Sequence, residues 1–292
     1  MRETKTMKIK LIADSTCDLS DQLLQQYAVQ RIPLHIIMGE QDYLDGEEVR
    51  SQEIFDFFNT GKGMAMTAAI NAATFAESYQ QAFANGAEGV LVFTISAELS
   101  SCYANALEAA AGFQNVHVID TRSLSTGGGL LVLAAADMAA EGLDAAEIAR
   151  RLEVKKGLVD TSFVIDTLEY MYRGGRCSGA TKLGADLLNI KPCLVMRNGF
   201  LEVGRKYRGR IQKVLPGYIC DRLKGQTGID KRRAFITHTF FDEPELVRQM
   251  ANMVKELQGF DEVLETQAGC TVSCHCGPRT LGVIFCRQDA TA

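Results

Sequence analysis

The residues best suited to chemistry lie between Thr266 and Cys286, in TQAGCTVSCHCGPRTLGVIFC, which holds four of the nine cysteines and one of the four histidines. His275 stands between Cys274 and Cys276 on a small-residue segment, with Thr271–Val272 before it and the apolar run Leu281–Phe285 after it. That pattern predicts a single imidazole at the end of a strand, where it can donate, accept or carry charge near neutral pH. The C-x3-C-H-C arrangement of Cys270, Cys274, His275 and Cys276 has the residue types of a soft-metal site. In a strand, however, Cys274 and Cys276 point one way and His275 the other, and zinc sites more often use two separated pairs. Buried free thiols and no metal are the expectation.

Other groups invite the same weighing. Ser100 or Ser15 with His275 and Asp14 or Asp120 would supply the members of a hydrolytic triad. No G-x-S-x-G elbow accompanies them, and strand ends of α/β proteins commonly carry Ser and Asp. Gly127-Gly128-Gly129 precedes an apolar helix and offers backbone amides to a phosphate. Its spacing matches neither nucleotide-binding pattern, so a tight turn with close packing is expected. Arg173-Gly174-Gly175-Arg176 and Arg205–Arg210 are basic loops in an acidic chain, read either as solvated faces or as an anion-handling or docking surface.

The elements that must position these groups alternate. Lys8–Ala13 reads as a strand, Ser20 as the cap of a helix to about Tyr27, and Gln30–Met38 as one strand with Pro33 near its edge. Helices follow at Ser51–Asn59, with Ser51 as N-cap, and at Thr74–Asn85. Gly89–Ile95 is a buried strand, Ser96–Gly112 turns from loop into helix, Val116–Asp120 is a strand, and Leu130–Glu141 and Ala145–Lys156 are helices. This alternation predicts a parallel sheet with helices on both faces. The polar strand ends at Asp14-Ser15-Thr16, Ser96-Ala97-Glu98 and Asp120-Thr121 should then share one crevice.

Beyond about Gly157 the texture changes. Strands are expected at Thr161–Asp166, Lys191–Met196, Phe200–Tyr207, Arg233–Thr239 and Glu262–Thr266. Helices are expected at Leu168–Arg173, Ile211–Leu223 and Glu243–Leu257, and Asn198-Gly199 signals a hairpin. The expectation is a two-domain α/β protein: a Rossmann-like domain over 1–158, and an α+β domain with a mixed sheet over 159–292.

The 292 residues suffice for two cores. A net charge of −5 argues against nucleic acid as the main partner, and no apolar run approaches the roughly 18 residues of a membrane span. The opening segment shows no signal-peptide pattern, and the cysteines are odd in number and irregularly spaced. A cytoplasmic setting with reduced thiols is expected.

Taken in order, the motifs resemble the DegV family of bacterial fatty-acid-binding proteins, from about Lys8 to Arg287. The opening D-S-T/S-x-D-L stands at Asp14–Leu19, and a Tyr-x-Asp-Gly-like segment at Tyr43–Gly46. T-S-Q-P-S is represented by Thr67–Asn71, S-S-x-L-S-G-T-Y by Ser96–Tyr103, and D-S/T-x-x-x-S-x-G-x-G by Asp120–Gly129. G-G-R-I stands at Gly174–Cys177, K-P-I-L at Lys191–Leu194, and the final H-x-G-P/Q-G at His275–Arg279.

The resemblance implies a fatty acid held between two α/β domains, its carboxylate met by Thr67 and Ser100 with His275 nearby. It links Arg176 and Arg208 to the head-group network or to docking of a kinase. It implies a carrier rather than an enzyme, without cofactor. Its ligand would be a long-chain fatty acid such as palmitate or oleate, its partner a fatty acid kinase subunit, with room for transient contact with a membrane surface. The chain departs from the family at Ala68-Ala69-Ile70, at Ser101-Cys102 and at Arg279, where the family's closing Gly would stand and where a positive charge near the head group and a side chain facing solvent are the two readings.

The chemistry of such a site is coherent. A carboxylate withdrawn from water needs donors, which two hydroxyls and an imidazole supply. At about 0.8 kcal/mol per buried CH₂, some ~14 methylenes contribute about 11 kcal/mol before ordering costs. Ile36, Phe163, Ile165, Leu187, Leu188, Ile190, Leu281 and Ile284 are candidate tunnel walls, with Met64 and Met66 as an adaptable lip beside Thr67. Two other readings remain: a hydrolase or acyltransferase using Ser100 and His275, and a ligand-responsive signalling module with Arg176 and Arg208 at its interface.

Overall fold

The computed structural model describes residues 8–177 and 190–289. The first part of the chain runs β1 (Ile9–Asp14), α1 (Asp21–Gln26), β2 (Val29–Ile32), β3 (His35–Met38), β4 (Gln41–Leu44), α2 (Ser51–Asn59), β5 (Met66–Ala68) and α3 (Ala72–Ala84). It continues with β6 (Gly89–Thr94), α4 (Cys102–Ala110), β7 (Val116–Asp120), α5 (Thr126–Ala140) and α6 (Ala145–Lys155). β2, β1, β6 and β7 form a parallel sheet in that order. β6 is buried along its whole length, as its unbroken apolar sequence requires of a strand covered on both faces.

The segment read as one strand over Gln30–Met38 is two. At Pro33, which has no N–H to give a ladder, the chain leaves the parallel sheet. β3 then becomes the middle of a small antiparallel sheet ordered β4-β3-β5. The register pairs Ile36 with Thr67, so the chain's excursion through α2 returns Thr67 beside the main sheet. One cap assignment also changes. Arg50 rather than Ser51 caps α2: its N–H donates to the Glu53 carboxylate at 2.8 Å. Ser51 Oγ instead donates 3.0 Å to the distant Ala268 carbonyl.

After a short 3-10 turn at Lys156–Leu158 the chain enters a second sheet. Its elements are β8 (Val159–Val164), α7 (Glu169–Gly174), β9 (Ile190–Arg197), β10 (Phe200–Arg208), α8 (Ile211–Leu223), β11 (Ile229–His238), α9 (Pro244–Gln258), β12 (Glu262–Gln267), α10 (Cys270–Cys276) and β13 (Leu281–Arg287). The order is β10-β9-β8-β13-β11-β12, with only β11 and β12 parallel. This is the mixed sheet that the hairpin signal at Asn198-Gly199 predicts, both turn residues having positive φ.

α5 joins the two sheets. Apart from Asp137, which pairs with Arg233, it is largely apolar all round and packs in one cluster with Leu11, Ala13, Leu91 and Phe93 of the first sheet and Phe235, Ile284 and Cys286 of the second. Gly127, Gly128 and Gly129 are the first turn of this helix rather than a turn before it. A Cβ at Gly127 would lie 2.1 Å from Ser123 Oγ, and one at Gly129 2.9 Å from the Cys17 carbonyl. These glycines serve close packing. Among the described residues no helix is long and apolar enough to cross a membrane.

The largest departure from the sequence reading is the His275 segment, which is the helix α10 rather than a strand end. Its amides find carboxyl partners from distant segments, Gly269 N–H at Asp18 and Cys270 N–H at Asp45. Gly277, at φ 74°, ends it. In a helix, Cys274 and Cys276 do not share one side as they would in a strand. Helical spacing puts Cys270 and Cys274 together in one apolar cluster, while Cys276 packs into another. Burial pushes the Cys270 thiol up to about 12 and also raises Cys274 and Cys276 well above the usual thiol value, so these are protonated apolar side chains.

Candidate functional site

The three loops at the carboxyl ends of β1, β6 and β7 are tied to one another, as expected for a shared crevice. Asp14 accepts from Ile95 N–H at 2.7 Å, Ser96 N–H donates to the Ser123 carbonyl at 2.8 Å, and Ser125 Oγ donates to Asp18 at 2.5 Å. The hairpin of the second sheet closes over this end. Ser96 Oγ donates to the Gly199 carbonyl at 2.8 Å and Arg122 to the Asn198 carbonyl at 2.5 Å. A Cβ on Gly199 would meet Ser96 Oγ at 2.8 Å, so glycine is needed there for contact as well as for its φ.

Between the two sheets lies a cavity of about 270 Å³. Four of the five candidate site residues line it: Thr67, Ser100, Arg176 and His275. Thr67 comes from β5, Ser100 from the turn before α4, Arg176 from the segment after α7, and His275 from the last turn of α10. Ser101 and Thr271 bring the hydroxyl residues of the wall to four. Much of the remaining wall is apolar, with Ile95, Leu99, Leu124, Met171, Leu201 and Val272. Among the described residues Arg176 is the only charged side chain in that wall.

His275 Nε2 and Thr67 Oγ1 are 3.0 Å apart, a contact between residues 208 positions distant in sequence. His275 Nδ1 is enclosed and, among the described residues, has no hydrogen-bond partner. It packs instead on Gly174, where an added Cβ would lie 2.4 Å away. Burial lowers the His275 pKa to about 4, with Arg176 adding to the effect, so the imidazole is neutral at neutral pH. A neutral ring with its proton on Nε2 donates to Thr67 and leaves the threonine hydroxyl hydrogen for a third group. Ser100 Oγ accepts from Cys102 N–H at 3.3 Å and donates to the Cys102 sulfur at 3.3 Å. A thiol is a weak acceptor, so that hydroxyl is easily redirected.

This geometry does not form a triad. Ser100 pairs with Cys102 and His275 with Thr67. Asp14 is committed to Thr16 and the Ile95 amide, and Asp120 to the Ala97 and Arg122 amides. What the wall offers is a set of hydroxyls, a neutral imidazole and one guanidinium facing an apolar space, which suits a ligand with an anionic head and a hydrocarbon body.

Other expectations shift. Arg208 is exposed at the end of β10 and is not part of the cavity wall. Arg279 points to Asp242 and Glu243, at 2.9 and 2.8 Å, and stacks on Phe241, so it is neutralised away from the cavity. Of the tunnel candidates, Phe163 and Ile284 line a second, smaller cavity of about 20 Å³ that shares Leu124, Val272 and Cys276 with the first. Ile36, Ile165 and Leu281 are buried in separate core clusters, and Ile190 begins β9. Leu187 and Leu188 lie outside the described residues. Met66 is exposed beside Thr67, whereas Met64 packs against the core. Sequence reasoning missed Gly174, whose signal was the G-G-R motif, and the apolar walls, which come from several separate segments.

A family model described as "Uncharacterised protein, DegV family" matches residues 8–288. A DegV domain-containing protein of Deinococcus radiodurans is 32% identical over 281 residues, covering 95% of this chain and 98% of the relative. One from Caldanaerobacter subterraneus subsp. tengcongensis is 31% identical over 282 residues, with coverage of 95% and 98%. Among solved structures, a DegV family protein from Thermus thermophilus, described for its fatty acid binding, superposes with a TM-score of 0.86 at 31% identity, covering 96% of this chain and 100% of that one. A DegV family protein from Eubacterium eligens, loaded with heptadecanoic acid, shares the fold with a TM-score of 0.81 at 22% identity, covering 96% and 100%.

Proposed function

The chain belongs to the DegV family, and on that premise we propose that it binds a long-chain fatty acid, of the palmitate or oleate class, between its two sheets and presents the carboxylate to a separate kinase. The observation that carries the reading is the cavity itself: Thr67, Ser100 and His275 converge on a space whose other walls are largely apolar. The Thermus relative's fatty acid binding supports it.

The head group is handled by donors. Thr67, held by His275, and Ser100, released from Cys102, each give one O–H to a carboxylate oxygen. Arg176 supplies the compensating charge. Hydrogen bonds to an ionised group contribute about 1.5–3 kcal/mol each. The hydrocarbon contributes the rest by leaving water. A neutral His275 serves this better than a cation, because it orients Thr67 without burying a second charge.

The test is calorimetric titration of delipidated protein with oleate, alone and as Thr67→Val and Ser100→Ala. Saturable 1:1 binding, weakened about tenfold or more by each variant, is expected from the loss of one charge-assisted bond. Wild-type protein that takes up neither oleate nor palmitate would overturn the reading. Kinase presentation is tested separately, by phosphorylation of the bound acid when a fatty acid kinase and ATP are added.

A further inference from the structure

His275 can meet Thr67 only if α10 is seated correctly, and α10 has just seven residues. Such a helix has little stability of its own, so something else must fix it. Its first turn is gripped by two carboxyl groups from the opposite end of the chain. Asp45 Oδ1 accepts from Cys270 N–H at 2.7 Å, and Oδ2 accepts from Thr271 N–H at 3.1 Å and Thr271 Oγ1 at 2.7 Å. Asp18 Oδ1 accepts from Gly269 N–H at 2.8 Å. Three backbone donors that a helix start leaves open are thereby satisfied.

Both acids are held in turn. Ser15 Oγ donates to Asp45 at 2.9 Å and Ser125 Oγ to Asp18 at 2.5 Å. Asp45 is 1% exposed and Asp18 5%. Gly269 supplies the room: a Cβ there would come within 3.2 Å of Asp18 and 3.3 Å of Asp45. Cys270 Sγ, on the Val49 carbonyl at 3.2 Å, and the Ser51 bond to Ala268 add two further ties to the same end of α10. Neither acid lines the ligand cavity. Burying two carboxyl groups between domains is expensive, and apart from the Ser15 and Ser125 hydroxyls the distant groups that donate to their side chains are Gly269, Cys270 and Thr271, at the start of the helix that carries His275.

We propose that Asp45 and Asp18 are positioning residues of the ligand site, seating the first turn of α10 so that His275 in its last turn meets Thr67. This rests on the fatty-acid reading only for its consequence for affinity. The positioning itself is a property of the ligand-free protein.

The substitutions separate geometry from composition. Asp45→Asn leaves one acceptor oxygen and turns an NH₂ group toward N–H donors, so its four accepted bonds cannot all survive. Asp18→Ala removes the Gly269 partner. Asp18→Asn conserves both contacts, its oxygen accepting from Gly269 and its NH₂ donating to Ser125 Oγ.

Two readouts are taken on full-length protein. The first is the ¹⁵N spectrum of the His275 ring without ligand, which reports the Thr67 contact. The second is the oleate affinity. Asp45→Asn and Asp18→Ala are expected to shift the His275 signal and to weaken oleate by about tenfold, the equivalent of one lost hydrogen bond to a charged group. Asp18→Asn is expected to do neither. If Asp45→Asn does not fold, the Asp18→Ala and Asp18→Asn pair decides alone. Folded variants that melt earlier but keep the His275 signal and the oleate affinity would overturn the proposal, because a purely structural role predicts that result. Wild-type protein that binds no oleate would overturn the functional reading, while the His275 signal would still decide the positioning.

Discussion

Gly174→Ala is the sharpest single perturbation of the head-group site. Gly174 is the last residue of α7 and its φ is not in the left-handed region. Backbone preference therefore does not oppose alanine, and helix propensity alone would favour it by up to about 1 kcal/mol. Space opposes it. The new Cβ would lie 2.4 Å from His275 Nδ1, 3.3 Å from Cε1 and 3.4 Å from Cγ. Ordinary contact requires about 3.5 Å, so the ring must retreat by about 1 Å. Nδ1 and Nε2 face opposite sides of the imidazole, so this retreat drives Nε2 into Thr67 Oγ1, now 3.0 Å away, and the ring must turn out of the contact. Crowding of this kind costs about 1–3 kcal/mol, so the propensity gain is cancelled or exceeded. The lost orientation of Thr67 removes one bond to a carboxylate, about 1.5–3 kcal/mol, or roughly ten- to hundredfold in oleate affinity. Calorimetric titration and thermal melting of the same samples provide the assay. A raised melting temperature with unchanged oleate affinity would refute the reasoning, because it would mean the ring was never constrained by Gly174.

Three further outcomes are expected. Ser100→Ala should weaken oleate about tenfold while leaving the fold intact, and neither it nor the wild type should hydrolyse an activated acyl ester; turnover lost on substitution would instead favour the hydrolase reading. Leu99→Trp should fill the cavity and abolish oleate uptake with little change in melting temperature; because the chain has no tryptophan, the new indole also gives a fluorescence signal, and undiminished uptake would show that the chain lies elsewhere. Ionisation should also leave a signature in stability. Burial, the largest effect, raises Asp14 to about 6 and Asp18 to about 8, from 3.8. Their contribution is full below pH ~4 and is lost as pH rises through 6 and 8. His275, lowered to about 4 by burial, acts oppositely, its contribution being present above ~6.5 and lost as pH falls. Between pH 6.5 and 8 the Asp18 effect stands alone, so denaturant stability should decline in the wild type and stay flatter in Asp18→Asn; parallel curves would contradict the assignment.

The strands and most helices were legible because their signals are local. β6 is a continuous apolar or β-branched run, β7 carries three Val and Ile residues in five, and the Asn-Gly turn dictates its hairpin. Where the reading failed, the deciding force came from far away in sequence. Thr271–Cys276 looks like a strand end by composition, but Asp18 and Asp45, more than 220 residues earlier, supply the caps that make it helical. Pro33 marks a change of sheet that periodicity alone does not reveal. Thr67, Ser100 and His275 were found through ordered motifs, and all three reach the cavity. The apolar walls were not found, because a residue's facing a cavity rather than the core leaves no mark on its type. Arg279 was left open between the head group and solvent for the same reason: its charge was visible, but its partners Asp242 and Glu243 were not.

The most direct measurement is a crystal structure of the protein grown with oleate. The account predicts one acyl chain between the two sheets, with its carboxylate within hydrogen-bond distance of Thr67 Oγ1 and Ser100 Oγ and the His275 contact to Thr67 retained. An acyl chain whose carboxylate lies away from Thr67 and Ser100, or a cavity that stays empty at saturating oleate, would contradict it.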